Sequence, residues 1–204
     1  AGLFASPPPC AAGAGEARSQ AAVVSTVAGA AVYGGTPSDD SVVEVIRALK
    51  ARGLAVTFYP FVMMDVPAGN GRPDPYGKSE QAALPWRGRI TCHPAKDVAG
   101  SSLFSETATA EIDAFFGTAQ PNQFAASGTT VTFSGGDDWH YRRMVLHYAA
   151  LCAAAGGVET FLIGSELVGL TTVRGAGRSY PFVNGLVTLA HDVKSLLGRA
   201  PRVA

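Results

Sequence analysis

The sequence predicts an α/β fold built on a parallel sheet, and three features of the chain lead to this prediction. Val158–Ile163 is a short β-branched and aromatic run that lacks the polar alternation of a half-exposed strand. The segment before it, from Trp139 to about Ala155, has its apolar residues at helical spacing. A second helix-like segment meets a second apolar run across one glycine, Gly53. Helices that alternate with fully buried strands are typical of parallel α/β folds.

The helix predicted before the 158–163 run is long and amphipathic. Asp137 or Asp138 can cap its start, and Gly156-Gly157 can end it. We expect His147 to be a packing residue, and Trp139, His140 and the Arg142-Arg143 pair to lie at the helix start and on its solvated face. The apolar face consists of Tyr141, Val145, Tyr148, Cys152 and Ala155.

The first helix–strand pair has clear end signals. Ser38 can cap the helix, Asp39 and Asp40 complement its dipole, and Gly53 follows its last turn. A buried strand then runs from Leu54 to Met64 and is closed by Asp65. The buried stripe of the helix is predicted to be Val42, Val45, Ile46 and Leu49.

The remaining segments complete the alternation. The pattern predicts a short β excursion over Thr129–Phe133 and the opening of a further strand at Pro201–Ala204. A helix is predicted over Ser105–Gly117, and its inward-facing residues are Ala108, Ile112, Phe115 and Phe116. A helix over Tyr180–Leu197 is marked by Phe182, Leu186, Leu189, Val193 and Leu196. Residues 1–30, rich in Ala, Gly, Ser and Pro, predict a loop-rich or poorly ordered segment before one domain over 31–204.

Composition limits the classes of function. Sixteen basic and sixteen acidic residues balance, so net charge gives no argument for nucleic acid as a partner. No apolar run reaches the roughly 18 residues of a membrane span. The cysteines and histidines lack metal-ligand spacing and no phosphate-binding glycine motif occurs, so we predict no metal and no cofactor. Cys152 is expected to be buried, while Cys10 and Cys92 can pair, although free thiols are favoured.

Glu166 follows the 158–163 run after Gly164 and Ser165. A carboxylate at the end of a buried strand is costly unless it is solvated or paired. The carboxyl ends of the strands are also where α/β barrels carry their catalytic groups. Glu166 is therefore the leading candidate for chemistry, and the alternative is a solvated glutamate paired with an arginine such as Arg174.

Four segments carry a family resemblance over roughly Val32 to Gly198: VYGGTPSD, FYPFVMMDVPAGNGRPDPYG, PWRGRITCHP and FLIGSELVGL. Together they resemble the TIM-barrel-like domain of the large tail-tip proteins of gene transfer agents and related phage tails. The segment WHYRRMVLHYAALCAAAGGVETFLIGSEL is also similar to the helix and fourth strand of clan A glycoside hydrolases, particularly the bacterial endo-β-mannanase branch.

The resemblance implies part of a (β/α)₈ TIM barrel. A full barrel needs about 250 residues, so we expect a fragment that lacks the first strand and the later half. Glu166 matches the position of the general acid/base, and the nucleophile is expected beyond Ala204. Many clan A enzymes place Asn before this glutamate, whereas Ser165 stands here and its shorter hydroxyl reaches less far toward a sugar.

The loop from Asp65 to Gly100 is long enough to be functional and follows a strand, so it lies on the active-site face of a barrel. An exposed Trp86 can stack on a sugar ring, and Arg87 can bind hydroxyls or a carboxylate. The alternative for Trp86 is a packing role with its indole N–H satisfied. Asp65 can bind substrate or cap the loop, and His93 can line the cleft or serve the structure.

The function implied by the resemblance is hydrolysis of cell-surface polysaccharide or peptidoglycan. The domain would belong to a tip protein associated with a virion or tail particle, acting at the cell surface, with a glycan and other tail proteins as partners. A glycan-binding or structural tail module without turnover is the alternative, and a free-standing mannanase is a third interpretation. A second carboxylate close to Glu166 favours the enzyme.

Overall fold

The structure, a computed structural model, describes residues 26–31 and 37–204. Its helices are α1 (Asp39–Ala51), α2 (Glu106–Phe116), α3 (Tyr141–Ala154), α4 (Val168–Thr172) and α5 (Pro181–Leu197). Its strands are β1 (Thr26–Val27), β2 (Ala30–Ala31), β3 (Thr57–Phe58), β4 (Phe124–Ser127), β5 (Thr130–Phe133), β6 (Thr160–Phe161) and β7 (Arg202–Val203). The predictions for Cys10 and for most of the 1–30 segment lie outside the described residues.

The central feature is a parallel sheet of three strands in the order β3-β6-β7. Phe58 lies opposite Phe161, and their rings stack with centroids 5.7 Å apart. Helices follow β3 and β6 and return the chain to the next parallel strand, as in βαβ units. The α/β prediction is confirmed: the described residues form an open sheet with helices and no closed barrel, consistent with part of a TIM-barrel-like fold.

The regular strands are shorter than the apolar runs predicted. In the Leu54–Met64 run, the ladder to β6 covers Thr57 and Phe58. Pro60 has no N–H to donate, so the run cannot continue as a central strand through this residue. The predicted β excursion is a hairpin of β4 and β5, whose first strand, FAAS, has too little β propensity to be seen in the sequence.

Helix α1 begins and ends where the sequence predicts. Ser38 caps it by accepting the Ser41 N–H, and Gly53 follows its C-cap. The predicted buried stripe of α1 is partly wrong, because Val45 is 51 % exposed and Val43 is buried instead. The helix packs on α3 and β5, which turns the face of Val42, Val43 and Ile46 inward.

Helix α3 is buried on all sides. It contacts α1, α2, α5 and both strands of the hairpin, and every residue from Tyr141 to Cys152 is buried. The prediction of a solvated face at Arg142 and Arg143 is therefore wrong. Arg142 donates to the Ala119 carbonyl at 2.9 Å and to Asp192 on α5 at 2.5 Å. These hydrogen bonds compensate for the burial of its charge.

Arg143 and His147 are the other polar residues inside α3. The Arg143 guanidinium donates to the Asp138 carbonyl at 3.2 Å and lies 3.8 Å from the centre of the Trp139 ring. His147 is fully buried, as predicted, and its Nε2 lies 3.1 Å from an Asp39 carboxylate oxygen. Polar side chains in α3 thus tie it to neighbouring segments that apolar contacts alone would not fix.

Most of the other sequence predictions for the core are confirmed, although Leu49, Leu186 and Leu196 are only partly buried. All four inward residues of α2 are buried, as are Phe182, Leu189 and Val193 of α5. Cys92 and Cys152 are buried free thiols, and burial raises the pKa of Cys152 to about 12. Among the described helices, none has the length and hydropathy needed to span a bilayer.

Asp138 joins the end of α2 to the start of α3. It accepts the Thr118 N–H at 2.6 Å and hydroxyl at 2.8 Å, and it also accepts the His140 N–H at 3.1 Å. Burial alone would raise the pKa of Asp138, but the hydrogen bonds from Thr118 and His140 outweigh it and lower the pKa. The carboxylate form is therefore the one that the fold stabilises.

Replacing Arg142 tests the correction to α3. We expect Arg142→Ala to lower the free energy of unfolding by about 3 kcal/mol, because it leaves Asp192 and the Ala119 carbonyl without their donor. Arg52→Ala removes an exposed arginine at the end of α1 and should change stability by less than about 0.5 kcal/mol. Urea denaturation gives both values, and equal midpoints would contradict the role given to Arg142.

Replacing Asp138 tests the pKa argument. A lowered pKa in the folded state contributes stability above the unfolded value, about 3.9, and this contribution is lost as the pH falls further. Asp138→Asn should therefore lower stability at pH 7 and flatten its dependence on pH below about 4. Urea midpoints measured between pH 2.5 and 7 check this, with the exposed Asp113→Asn as control. An acid dependence unchanged by Asp138→Asn would contradict it.

Candidate functional site

Glu166 lies just beyond the carboxyl end of the central strand, β6. The Ile163 N–H still bonds to the Ala204 carbonyl at 2.6 Å, and the chain leaves the sheet at Gly164 and Ser165. The Glu166 side chain is 52 % exposed. Its backbone has φ +57°, in the left-handed region that few residues other than glycine adopt. This conformation places the carboxylate at the sheet edge, over the ends of the strands.

Two side chains from the loop after β3 reach this carboxylate. The Trp86 indole N–H donates to Glu166 Oε2 at 2.7 Å, and Arg87 Nη2 lies 2.9 Å from the same oxygen. Arg87 Nε also donates to the Ser165 carbonyl at 3.3 Å. Four of the residues predicted for the site, Trp86, Arg87, Ser165 and Glu166, therefore form one group, which we call the Glu166 cluster.

Arg87 is the fixed element of the Glu166 cluster. It is 7 % exposed, its Nη2 donates to the Tyr59 hydroxyl at 3.3 Å, and its guanidinium lies 3.7 Å above the Phe61 ring. Tyr59 and Phe61 follow β3 directly, with Pro60 between them. These contacts on both sides of the guanidinium fix the position of the group that bonds to Glu166.

Tyr141, on α3, holds the end of β6 in place through a hydrogen bond. Its hydroxyl donates to the Ile163 carbonyl at 2.6 Å, which connects α3 to the residues that lead into Glu166. Burial raises the pKa of Tyr141, with Tyr59 adding to the rise and Arg87 opposing it. The phenol therefore stays a hydrogen-bond donor at any ordinary pH.

Two glycines allow the Trp86 segment to approach Glu166. Residues Arg87–Arg89 form a short 3₁₀ turn that packs against α4. A Cβ on Gly169 would overlap the Ile90 and Gly88 carbonyl oxygens, and a Cβ on Gly88 would overlap the Trp86 ring. The close contact between this turn and α4 therefore depends on the absence of both side chains.

The structure identifies the arginine that pairs with Glu166 and combines the two interpretations of Trp86. Arg174 is not the arginine paired with Glu166: it donates to the Thr171 and Val173 carbonyls and stacks on Tyr180 at 3.9 Å. The partner is Arg87, 79 residues earlier in the chain. Trp86 is 51 % exposed although its indole N–H is satisfied, so it has both a structural bond and surface for a ligand.

Asp65 and His93 are the other two residues predicted for the site. Asp65 is 8 % exposed, which leaves it little surface for a ligand. The exposed His93 donates its backbone N–H to the Glu111 carboxylate of α2 at 3.1 Å. Among the described residues, no hydrogen bond or ion pair joins His93 to the cluster. Substrate binding by these two residues remains a prediction.

Sequence reasoning missed the residues that hold Arg87 in place. Tyr59 and Phe61 belong to an apolar run that is typical of a buried strand. Their two-residue spacing nevertheless indicates that both side chains lie on the same face of the extended chain. Gly88 and Gly169 gave no signal, since a close approach of two backbones is not visible in sequence. Within the described part of the chain, no group of three or more His, Cys, Asp or Glu residues could hold a metal ion.

Adding one methyl group at Gly169 should disturb the Glu166 cluster. The Cβ of Gly169→Ala overlaps two backbone oxygens, which cannot rotate away, so we expect a loss of about 1–3 kcal/mol in stability. We also expect the emission of Trp86 to change as its bond to Glu166 is lost. Gly164→Ala is the control, because its Cβ meets only the Leu186 side chain, at 3.2 Å. Unchanged stability and fluorescence in Gly169→Ala would contradict this account of the turn.

Comparison with known proteins adds a family to this geometry. No curated protein matches the chain. Residues 139–204 match the model of the GTA TIM-barrel-like domain, where GTA denotes gene transfer agent. The matched span covers α3, β6, Glu166, α4, α5 and β7, and it confirms the predicted resemblance for that part of the chain; no relationship to mannanases follows from it. The C-terminal third of the chain, with Glu166 inside it, is thus similar to the GTA TIM-barrel-like domain.

Proposed function

We propose that the chain is part of a glycoside hydrolase-like domain in which Glu166 acts as general acid/base on cell-surface polysaccharide or peptidoglycan. The observation that carries this proposal is the position of the Glu166 carboxylate. It lies half-exposed at the carboxyl end of a central parallel strand, between an exposed indole and a buried guanidinium. This edge of the sheet is where TIM-barrel enzymes assemble their active sites.

Each residue of the Glu166 cluster would have a different role in binding or catalysis. The exposed surface of Trp86 offers an apolar face to a sugar ring. Arg87 is too buried to act on the sugar directly, so its role is to position Glu166. Ser165 is half-buried beside Glu166 and is proposed to contact a sugar hydroxyl. The burial of Asp65 and the backbone N–H contact of His93 with Glu111 support structural roles for these two residues better than substrate binding.

The two halves of the reaction need different forms of Glu166. Trp86 and Arg87 both donate to Oε2 in the structure. A carboxylate can accept a proton from the attacking water, whereas protonation of the glycosidic oxygen requires the acid form. Glycoside hydrolysis also requires a second carboxylate, about 5–5.5 Å or 6.5–9.5 Å away according to stereochemistry. We assign that role to none of the described residues.

The same pairing favours a second candidate, a glycan-binding module without turnover. A carboxylate held by a buried arginine is a fixed acceptor for sugar hydroxyls and needs no change of protonation to bind them. In either case we propose that the domain works at the cell surface as part of a gene-transfer-agent or phage-tail particle, with other tail proteins as partners. The family match over residues 139–204 supports this association.

Glu166→Gln tests the catalytic proposal. The protein is prepared at its natural full length, and release of reducing ends is followed on β-mannan and on purified cell-wall glycan. We expect the wild type to release sugar and Glu166→Gln to lose about 10²–10⁴-fold in rate, because glutamine cannot transfer the proton. Glu44→Gln, a change on the exposed face of α1, should leave the rate unchanged.

Binding measured on the same proteins separates the two candidates. No release by the wild type on either glycan, with sugar binding that weakens in Glu166→Gln, would reject hydrolysis and support the binding module. Release that persists in Glu166→Gln at the wild-type rate would show that another residue carries the chemistry.

A further inference from the structure

A shallow cleft opens on the other side of Trp86, within the long loop after β3. The mouth of the cleft is open to solvent. Its polar and aromatic lining consists of Asp74, Tyr76, Gln81, Trp86 and Arg89. Trp86 belongs to both places, since its indole N–H bonds to Glu166 while its ring borders the cleft.

Asp74 is the unusual residue of this cleft. Its side chain is buried, and its Oδ1 has one long contact, 3.5 Å to Arg89 Nη2. Its Oδ2 is buried, and within the described ranges this atom has no hydrogen-bond partner. An unsatisfied buried acceptor costs about 1–3 kcal/mol, so its presence calls for an explanation.

The groups around Asp74 suit a ligand that both donates and accepts. The Arg89 side chain is 41 % exposed, and its guanidinium lies 4.3 Å from the centre of the Tyr76 ring. The Tyr76 hydroxyl donates to the Arg89 carbonyl at 3.0 Å, which holds the ring in place. Arg89 is therefore a loosely held donor above a buried acceptor, beside two aromatic rings.

We propose that this cleft is a binding subsite for one saccharide unit of a longer glycan. Asp74 accepts a hydrogen bond from one sugar hydroxyl, and Arg89 donates to the oxygen of its neighbour. Adjacent hydroxyls match an acceptor beside a donor, because each hydroxyl can do both. Asp74 Oδ2 is screened from bulk solvent, so the proposal requires neighbouring side chains to move when a hydroxyl binds there.

The position of the cleft gives the path of the glycan. Trp86 separates the cleft from Glu166, so a chain bound at Glu166 passes over the indole and places its next unit against Asp74. This inference rests on the proposed function in one respect, which is that the ligand at Glu166 is a glycan. It does not depend on whether Glu166 cleaves that glycan.

Asp74→Asn tests the subsite. Binding of mannohexaose and of purified cell-wall glycan fragments is measured by calorimetry with the full-length protein, in the Glu166→Gln background to prevent turnover. We expect Asp74→Asn to raise the Kd about tenfold, because an acceptor oxygen is replaced by a donor at nearly constant shape. Asp97→Asn, an exposed change in the same loop, should leave the Kd unchanged.

A second variant keeps the test independent of folding. Arg89→Gln alters a largely exposed side chain and should weaken binding in the same direction. Asp74→Asn should not lower the melting temperature, because the substitution removes a buried charge that has one weak contact. A Kd unchanged by both variants overturns the subsite, as does a wild type that binds neither glycan. Weaker binding in both variants, with no cleavage by the wild type, supports the subsite and rejects hydrolysis alone.

Discussion

The burial of α3 from Tyr141 to Cys152 is the constraint on which the rest of the structure depends. This helix lies between α1, α2, α5 and the β4–β5 hairpin, so its side chains set the spacing of four neighbouring elements. It also reaches the functional edge, because the Tyr141 hydroxyl bonds to the Ile163 carbonyl just before Glu166. A displacement of α3 would therefore move both the core and the strand end that carries the candidate catalytic group.

Burial of α3 also explains which sequence predictions failed. Arg142 and Arg143 look like a solvated face because charged residues are rarely buried, and a helical pattern cannot show that neighbours cover a helix on every side. The structure satisfies Arg142 through Ala119 and Asp192, which are 23 and 50 residues away. Such partners follow from tertiary packing and cannot be read from local spacing. The prediction that Val45 is buried failed for a similar reason, because the position of α3 determines which face of α1 is buried.

The site was more predictable than these details because the geometry of parallel sheets is general. The carboxyl ends of neighbouring parallel strands meet at one edge, so loops that follow β3 and β6 must lie close together. This argument is enough to bring Trp86 and Arg87 near Glu166. It does not choose between Arg87 and Arg174 as the partner, which depends on how the loop folds back. Gly88 and Gly169 decide that path, and a glycine in a sequence does not reveal which backbone will approach it.

Several features that lower the stability of the fold lie close to Trp86. Glu166 has a left-handed backbone, Arg87 is a buried cation, and Asp74 has a buried oxygen without a hydrogen bond among the described residues. Each costs free energy that packing elsewhere must offset, on the order of 1–3 kcal/mol for the backbone of Glu166 alone. None is needed to join helices to a parallel sheet, and the fold would be more stable without them. Trp86 connects them, because its indole N–H bonds to Glu166 and its ring borders the cleft that Asp74 lines, and a ligand that meets all three residues is what we propose.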